Sequence, residues 1–133
     1  MNLLLIEDDD IETMKFQRAL SKLETKYSLT EAKNGEEALE ILETGAELPD
    51  IIFLDLNMPR MNGIEFLGIL KQHEQIKYLP TIILTTSQNR DDLLECYRIG
   101  VSGYIIKPLK YEAYEERIKT VLDYWNINEL VKA

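Results

Sequence analysis

Five positions along the chain carry side chains suited to one kind of chemistry, and each follows a short apolar run. Glu7 and Asp8 follow Leu3-Leu4-Leu5-Ile6, Asp55 follows Ile51-Ile52-Phe53-Leu54, Thr85 follows Thr81-Ile82-Ile83-Leu84, and Lys107 follows Gly103-Tyr104-Ile105-Ile106. Three carboxylates brought to one place repel one another unless a cation lies between them. An all-oxygen ligand set suits Mg²⁺, which takes one or two carboxylates and keeps several waters. A Mg²⁺ beside a carboxylate and a fixed lysine is suited to handling phosphate. In such an apparatus Asp55 is the nucleophile and forms an aspartyl phosphate. Lys107 and the metal neutralise charge on the transferring phosphoryl oxygens, and Thr85 donates a hydrogen bond to one of them.

That chemistry requires the ends of the runs to meet, and the elements between them say how. Leu3 to Ile6 reads as a strand buried on both faces. From Ile11 onward, Met14, Ala19, Leu20 and Leu23 recur at helical spacing, with Asp9 or Asp10 as cap. Tyr27 to Ala32 alternates with period two, Asn34-Gly35 marks a turn, and Ala38, Leu39, Ile41 and Leu42 supply a second amphipathic helix. A third strand, Ile51 to Leu54, leads through the loop 56–63 to a helix carrying Ile64, Phe66, Leu67 and Leu70. Pro80 introduces the fourth strand, a polar helix is expected near 90 to 98, and Gly103 to Ile106 is the fifth strand. After Lys107-Pro108 a last helix sets Tyr111, Tyr114, Ile118, Val121, Leu122 and Trp125 on one stripe.

Five strands alternating with five helices, three of the strands almost purely apolar, imply an α/β, doubly wound parallel sheet covered on both faces. In such sheets ligands sit beyond the carboxyl ends of the strands, near the point where strand order reverses. The chemical residues all lie at those ends.

Composition narrows the class of function. The chain has 133 residues, 45% of them hydrophobic, enough for one domain that removes roughly two thirds of its unfolded surface from water. Its formal charge of −9 disfavours any sequence-independent grip on nucleic acid or on an anionic membrane. Residues 1 to 55 hold 14 acids and 5 bases, whereas residues 56 to 133 hold 10 of each, so the imbalance ends at Asp55. A single cysteine, Cys96, forms no internal disulfide and suits a reducing compartment. The N-terminal apolar run is too short for a signal-peptide core, and no run approaches the ~20 residues of a membrane span. A cytoplasmic location is expected.

The motifs together resemble a known family. Leu4-Leu5-Ile6-Glu7-Asp8, Asn34-Gly35-Glu36-Glu37-Ala38-Leu39, Asp50 to Asp55, Met58-Pro59 with Gly63, Leu84-Thr85-Thr86-Ser87 and Tyr104-Ile105-Ile106-Lys107-Pro108 occur in order. Thr85 lies 30 residues after Asp55, and Lys107 22 after Thr85. In these features the chain resembles the receiver domains of single-domain, CheY-like two-component response regulators. The resemblance implies a flavodoxin-like receiver fold with strand order 2-1-3-4-5 and five helices. It implies that Asp55 accepts a phosphoryl group from a sensor histidine kinase or histidine phosphotransfer protein. Asp8, Asp55 and the backbone carbonyl of Asn57 would hold Mg²⁺, with Glu7 assisting through water. Thr85 and Tyr104 would be a switch pair, Lys107 would contact the phosphoryl group through a cis Lys107-Pro108 segment, and Asn57 and Ser87 would tune dephosphorylation. Glu7 stands where the family commonly has Asp.

On the same resemblance, residues 1–126 are expected to be the receiver domain and 127–133 a short C-terminal tail without an output domain. The domain would signal rather than act as an enzyme, apart from self-catalysed phosphorylation and dephosphorylation. Output would pass through a downstream protein target, at the surface around helix 4, strand 5 and helix 5. The Thr85-Thr86-Ser87 variant and Tyr124-Trp125 also resemble regulators paired with phytochrome-type sensor kinases, some of which form homodimers through the C-terminal segment.

Simpler readings stand beside these. Asp9, Asp10 and Glu12 read as solvated or helix-capping acids, and Tyr124 and Trp125 read first as core stripe. Tyr104 alone would be a core aromatic, and His73 and Cys96 carry no oriented partner for nucleophilic work. Two other functions compete. An aspartyl-nucleophile phosphohydrolase of the haloacid dehalogenase type needs a second Asp two residues after the first, where Asn57 stands and is unable to act as a general acid. A pseudo-receiver would keep the fold as a binding module without phosphorylation.

Overall fold

Alternation of apolar strands and amphipathic helices produces the expected α/β chain in the computed structural model, which describes residues 1–45 and 47–131. In chain order the elements are β1 (Asn2–Ile6), α1 (Asp10–Ser21), β2 (Ser28–Ala32), α2 (Gly35–Thr44), β3 (Ile51–Leu54), α3 (Gly63–Gln72), β4 (Thr81–Thr85), α4 (Arg90–Ile99), β5 (Gly103–Ile106) and α5 (Tyr111–Asn126). The five strands form one sheet in the order β2-β1-β3-β4-β5, and every neighbouring pair is parallel. Strand order reverses between β1 and β3. Of the tail expected over 127–133, Lys132 and Ala133 lie outside the described residues.

Because β3 is central and side chains alternate along it, it feeds two cores. Ile52 and Leu54 join Leu4, Ile6 and Ile83 against Ala38 and Leu42 of α2, Phe66, Leu67 and Leu70 of α3, and Cys96 of α4. Ile51 and Phe53 join Leu3, Leu5, Ile82 and Leu84 against Phe16 and Ala19 of α1 and Tyr114, Ile118 and Leu122 of α5. Phe16 meets Phe53 edge-on, with ring centroids 5.0 Å apart. Each fully buried Leu, Ile or Phe contributes about 1.5–3 kcal/mol.

The starts of α1 to α4 are fixed by short polar side chains that satisfy free backbone N–H groups. Asp9 caps α1 by accepting from the amides of Ile11 and Glu12, and Asn34 caps α2 by accepting from Glu37. Asn62 and Glu65 form a reciprocal capping box on α3, and Asn89 caps α4.

Two expectations fail within the helices. In α1 the inward face is Thr13, Phe16 and Ala19, while Ile11 and Met14 are 70% and 64% exposed. Phe16, fully buried and edge-on to Phe53, marks the inward face. Tyr124 is exposed at 57% and stands edge-on to the partly buried Trp125, so only Trp125 belongs to the core stripe. No helix among the described residues is long and apolar enough to cross a membrane.

Candidate functional site

Parallel register brings the strand ends to one rim. Leu3 pairs with Ile51 and Ile6 with Leu54, so β1 and β3 finish level. The Asp55 amide donates to the Ile6 carbonyl at 3.0 Å and the Glu7 amide to the Ala32 carbonyl at 2.9 Å. On the other side Thr85 pairs with Ile106, and the Lys107 amide donates to the Thr85 carbonyl at 2.8 Å. Thus Glu7, Asp8 and Asp55 on one side and Thr85 and Lys107 on the other leave the same edge of one sheet.

The carboxylates converge. Glu7, Asp8 and Asp55 each offer an oxygen within 4.8 Å of the others' oxygens. Glu7 and Asp55 are buried, at 4% and 7% exposure, and Asp8 is open to solvent. Lys107, itself 9% exposed, donates from Nζ to Glu7 Oε1 at 2.7 Å. Burial raises the Glu7 carboxyl to about 7, opposed by the hydrogen bond and charge of Lys107 and reinforced by Asp55. For Lys107, burial pulls the ammonium down. The Glu7 hydrogen bond and the charges of Glu7, Asp55 and Glu12 outweigh it, and the net direction is up. The rim is therefore short of positive charge, with one ammonium among the acids.

The loop after Asp55 is held from below. Leu56 and Met58 point into the core, and the Gly63 amide donates to the Leu56 carbonyl at 3.1 Å. Asn57 is left exposed between them, at the mouth of a cavity of about 390 Å³ that Asp92 of α4 also lines.

The two expected switch residues converge on a third. Thr85 is fully buried, and its Oγ1 accepts from the Ser87 amide at 3.3 Å. The partly buried Tyr104 donates from its hydroxyl to the Ser87 carbonyl at 3.0 Å. Burial, the largest influence, raises the Tyr104 phenol above its ordinary range. Ser87 in turn donates from Oγ to Asp92 Oδ2 at 2.8 Å.

One expectation at the site is overturned. No peptide bond among the described residues is cis, so Lys107-Pro108 is trans. A proline narrows the gap between the isomers but leaves trans favoured by about 0.5–1 kcal/mol.

Two participants escaped the sequence. Glu12, read as a solvated acid of α1, has Oε2 at 3.7 Å from Lys107 Nζ. Asp92, in the first turn of α4, is the partner of Ser87. Each carried only the signal of an acid in a helix's first turn, which dipole complementarity explains without a site. His73 accepts from the Gln75 amide through Nδ1, and Cys96 is buried in the core, so neither enters the rim.

Known proteins resemble the chain in sequence and fold. The model of the response regulator receiver domain family matches residues 3–119. The chemotaxis protein CheY of Pseudomonas aeruginosa is 33% identical over 129 residues, covering 95% of this chain and 99% of that protein. Among solved structures, the phosphorylated cyanobacterial phytochrome response regulator RcpA superposes with a TM-score of 0.93 at 28% identity, covering 98% of each chain. The Mn²⁺-bound form of response regulator Rcp1 superposes with a TM-score of 0.89 at 27% identity, covering 99% of each chain.

Proposed function

We propose that this chain, which belongs to the response regulator receiver domain family, accepts a phosphoryl group on Asp55 and signals by changing its affinity for a protein target. The donor is a phosphohistidine of a sensor histidine kinase or a histidine phosphotransfer protein, and the setting is the cytoplasm. Residues 1–126 form the receiver unit. The observation that supports this reading is the meeting of three carboxylate oxygens within 4.8 Å beside a buried lysine at the carboxyl edge of a parallel sheet.

A divalent cation fits the donor set. All three side chains offer oxygen, two are buried, and their mutual repulsion is offset by only one close ammonium. The Mn²⁺-bound Rcp1 neighbour makes the same assignment reasonable here, with Mg²⁺ as the ion. Asp8, Asp55 and the Asn57 carbonyl would hold it, with Glu7 acting through water. When bound, the ion supplies Lewis-acid neutralisation of the phosphoryl oxygens.

The rest is done by the chain. An Asp55 carboxylate oxygen attacks phosphorus, the phosphorus–nitrogen bond breaks, and the donor histidine leaves with the electron pair. Lys107 leaves Glu7 for a phosphoryl oxygen, and the Thr85 hydroxyl turns from the Ser87 amide to donate to another. That turn loosens one of the bonds on Ser87, whose carbonyl also receives Tyr104, so the state of Asp55 reaches β5 and α4. Hydrolysis reverses the modification: water attacks phosphorus, Asp55 recovers its carboxylate and phosphate departs. Asn57, lining the cavity beside Asp55, and Ser87, bonded to Asp92 of the same cavity, set its pace.

Asn57 in place of a second Asp, together with the family match, disfavours the phosphohydrolase alternative. The decisive experiment is incubation with Mg²⁺ and acetyl phosphate followed by intact mass. The wild type is expected to gain one phosphoryl group and Asp55→Asn none. No adduct on the wild type, or an equal adduct on the variant, overturns the assignment, and the former outcome favours a pseudo-receiver. Light scattering with and without beryllofluoride reads whether activation forms a homodimer.

A further inference from the structure

Lys107 has two acidic neighbours, and the role proposed above uses only one. Its Nζ lies 2.7 Å from Glu7 Oε1 and 3.7 Å from Glu12 Oε2. Glu12 reaches it from the first turn of α1, across the face that α1 shares with α5. The Oε2 atom of Glu12 is buried and has no hydrogen-bond partner among the described residues. Lys15 Nζ, one turn along α1, stands 3.3 Å from the same oxygen, closer than Lys107 does.

A buried carboxylate oxygen without a hydrogen bond is costly, and such atoms call for an explanation. Geometry supplies one. Glu12 Oε2, already paired with Lys15 at 3.3 Å, is the second carboxylate oxygen beside the Lys107 ammonium, whose present acceptor, Glu7, belongs to the expected ion site. Once a divalent cation occupies that site, Glu7 has less negative charge to offer Lys107. Glu12 keeps its own.

We propose that Glu12 is a positioning residue for Lys107: a second acceptor that holds the ammonium on the α1 side of the rim and competes for it with an incoming phosphoryl oxygen. This inference rests on the phosphoryl-acceptor reading of the rim and deepens it. Glu12 touches no reacting atom. It acts through the charge of Lys107, for which Glu7, Glu12 and the phosphoryl group compete. The balance among these acceptors sets how firmly the phosphoryl oxygen is gripped.

The test uses beryllofluoride as the phosphoryl mimic, on the full chain in Mg²⁺ at low salt. Glu12→Gln keeps the shape of the side chain and removes its charge. It is expected to tighten beryllofluoride binding by about 1.5- to 5-fold, the range of a partly exposed charge pair. It is also expected to move the ¹⁵Nζ resonance of Lys107, a signature that a merely structural change on α1 would leave in place. Asp10→Asn is the control: it removes the same charge from the same turn, but Asp10 is paired with Lys33. It should leave both readouts unchanged.

If Glu12→Gln binds beryllofluoride as the wild type does, or if Asp10→Asn matches its gain, Glu12 does not act through Lys107. If the wild type itself fails to bind beryllofluoride in Mg²⁺, the phosphoryl-acceptor reading falls and this inference with it. The two failures are therefore distinguishable.

Discussion

Gly63 and Asp55 are in backbone contact: a Cβ placed on Gly63 would overlap the Asp55 carbonyl oxygen and lie 2.8 Å from Leu56 Cα. Neither atom is the end of a flexible side chain, so relief requires moving the segment that presents Asp55. Gly63→Ala is expected to destabilise the fold by about 1–3 kcal/mol, the usual range for overpacking. Gly68→Ala, in the same helix, meets nothing within 4 Å and is expected to stabilise by about 0.5–1 kcal/mol. Urea unfolding of the two variants reads both signs. Phosphorylation by acetyl phosphate should slow in the first and not in the second.

The divalent-cation site proposed at Glu7, Asp8 and Asp55 would link stability to the ion. For a dissociation constant of about 1 mM, 10 mM Mg²⁺ stabilises the native state by about 1.4 kcal/mol. Asp8→Asn removes an exposed carboxylate of the proposed site without touching the core and should abolish that response. Unfolding midpoints in Mg²⁺ and in EDTA measure it, and a wild-type midpoint indifferent to Mg²⁺ would count against the ion site.

Cys96 gives the fold an alkaline limit. Burial, then the charges of Asp92 and Glu95, push its thiol from 9.0 to about 11. The native state thus prefers the protonated form. This stabilisation is complete below about pH 9 and is lost as pH rises from about 9 to about 11. The loss amounts to about 3 kcal/mol. Cys96→Ala removes this part of the alkaline slope, so the stability difference between wild type and variant should shrink across that window. At neutral pH the native thiol should resist iodoacetamide and react on unfolding.

Tyr104→Phe deletes the hydroxyl that reaches the Ser87 carbonyl while keeping the ring. Its cost should be about 0.5–1.5 kcal/mol, that of one ordinary hydrogen bond. If Ser87 couples Tyr104 to Asp92, Asp92→Asn should change the effect of Tyr104→Phe in a double-mutant cycle. Strict additivity would show the two bonds to be independent.

Much of this architecture is legible in the residues. Ile51 to Leu54 announces a buried strand because all four side chains must leave water, and Asp55 announces its end. The phase of α1 is not legible, since Ile11 and Met14 are as apolar as the position requires. Only the packing of Phe16 on Phe53 selects the inward face. Within the candidate site, Glu7, Asp8, Asp55, Thr85 and Lys107 stand out because each follows an apolar run. Glu12 and Asp92 do not, because an acid in a helix's first turn is explained by local electrostatics. Their partners, Lys107 and Ser87, are supplied by long-range folding in one case and a turn of unknown shape in the other. The Lys107-Pro108 isomer is likewise a property of the assembled rim.

The alternation along β3 has a mechanical meaning. Ile52 and Leu54 are gripped by one hydrophobic layer, Ile51 and Phe53 by the other, and Asp55 is the next residue of the same peptide. A close-packed interior transmits displacement instead of absorbing it. A pull at Asp55 therefore loads both layers at once. The strand works as a tie rod through the sheet, and a signal begun at its end is available to helices on opposite sides of the molecule.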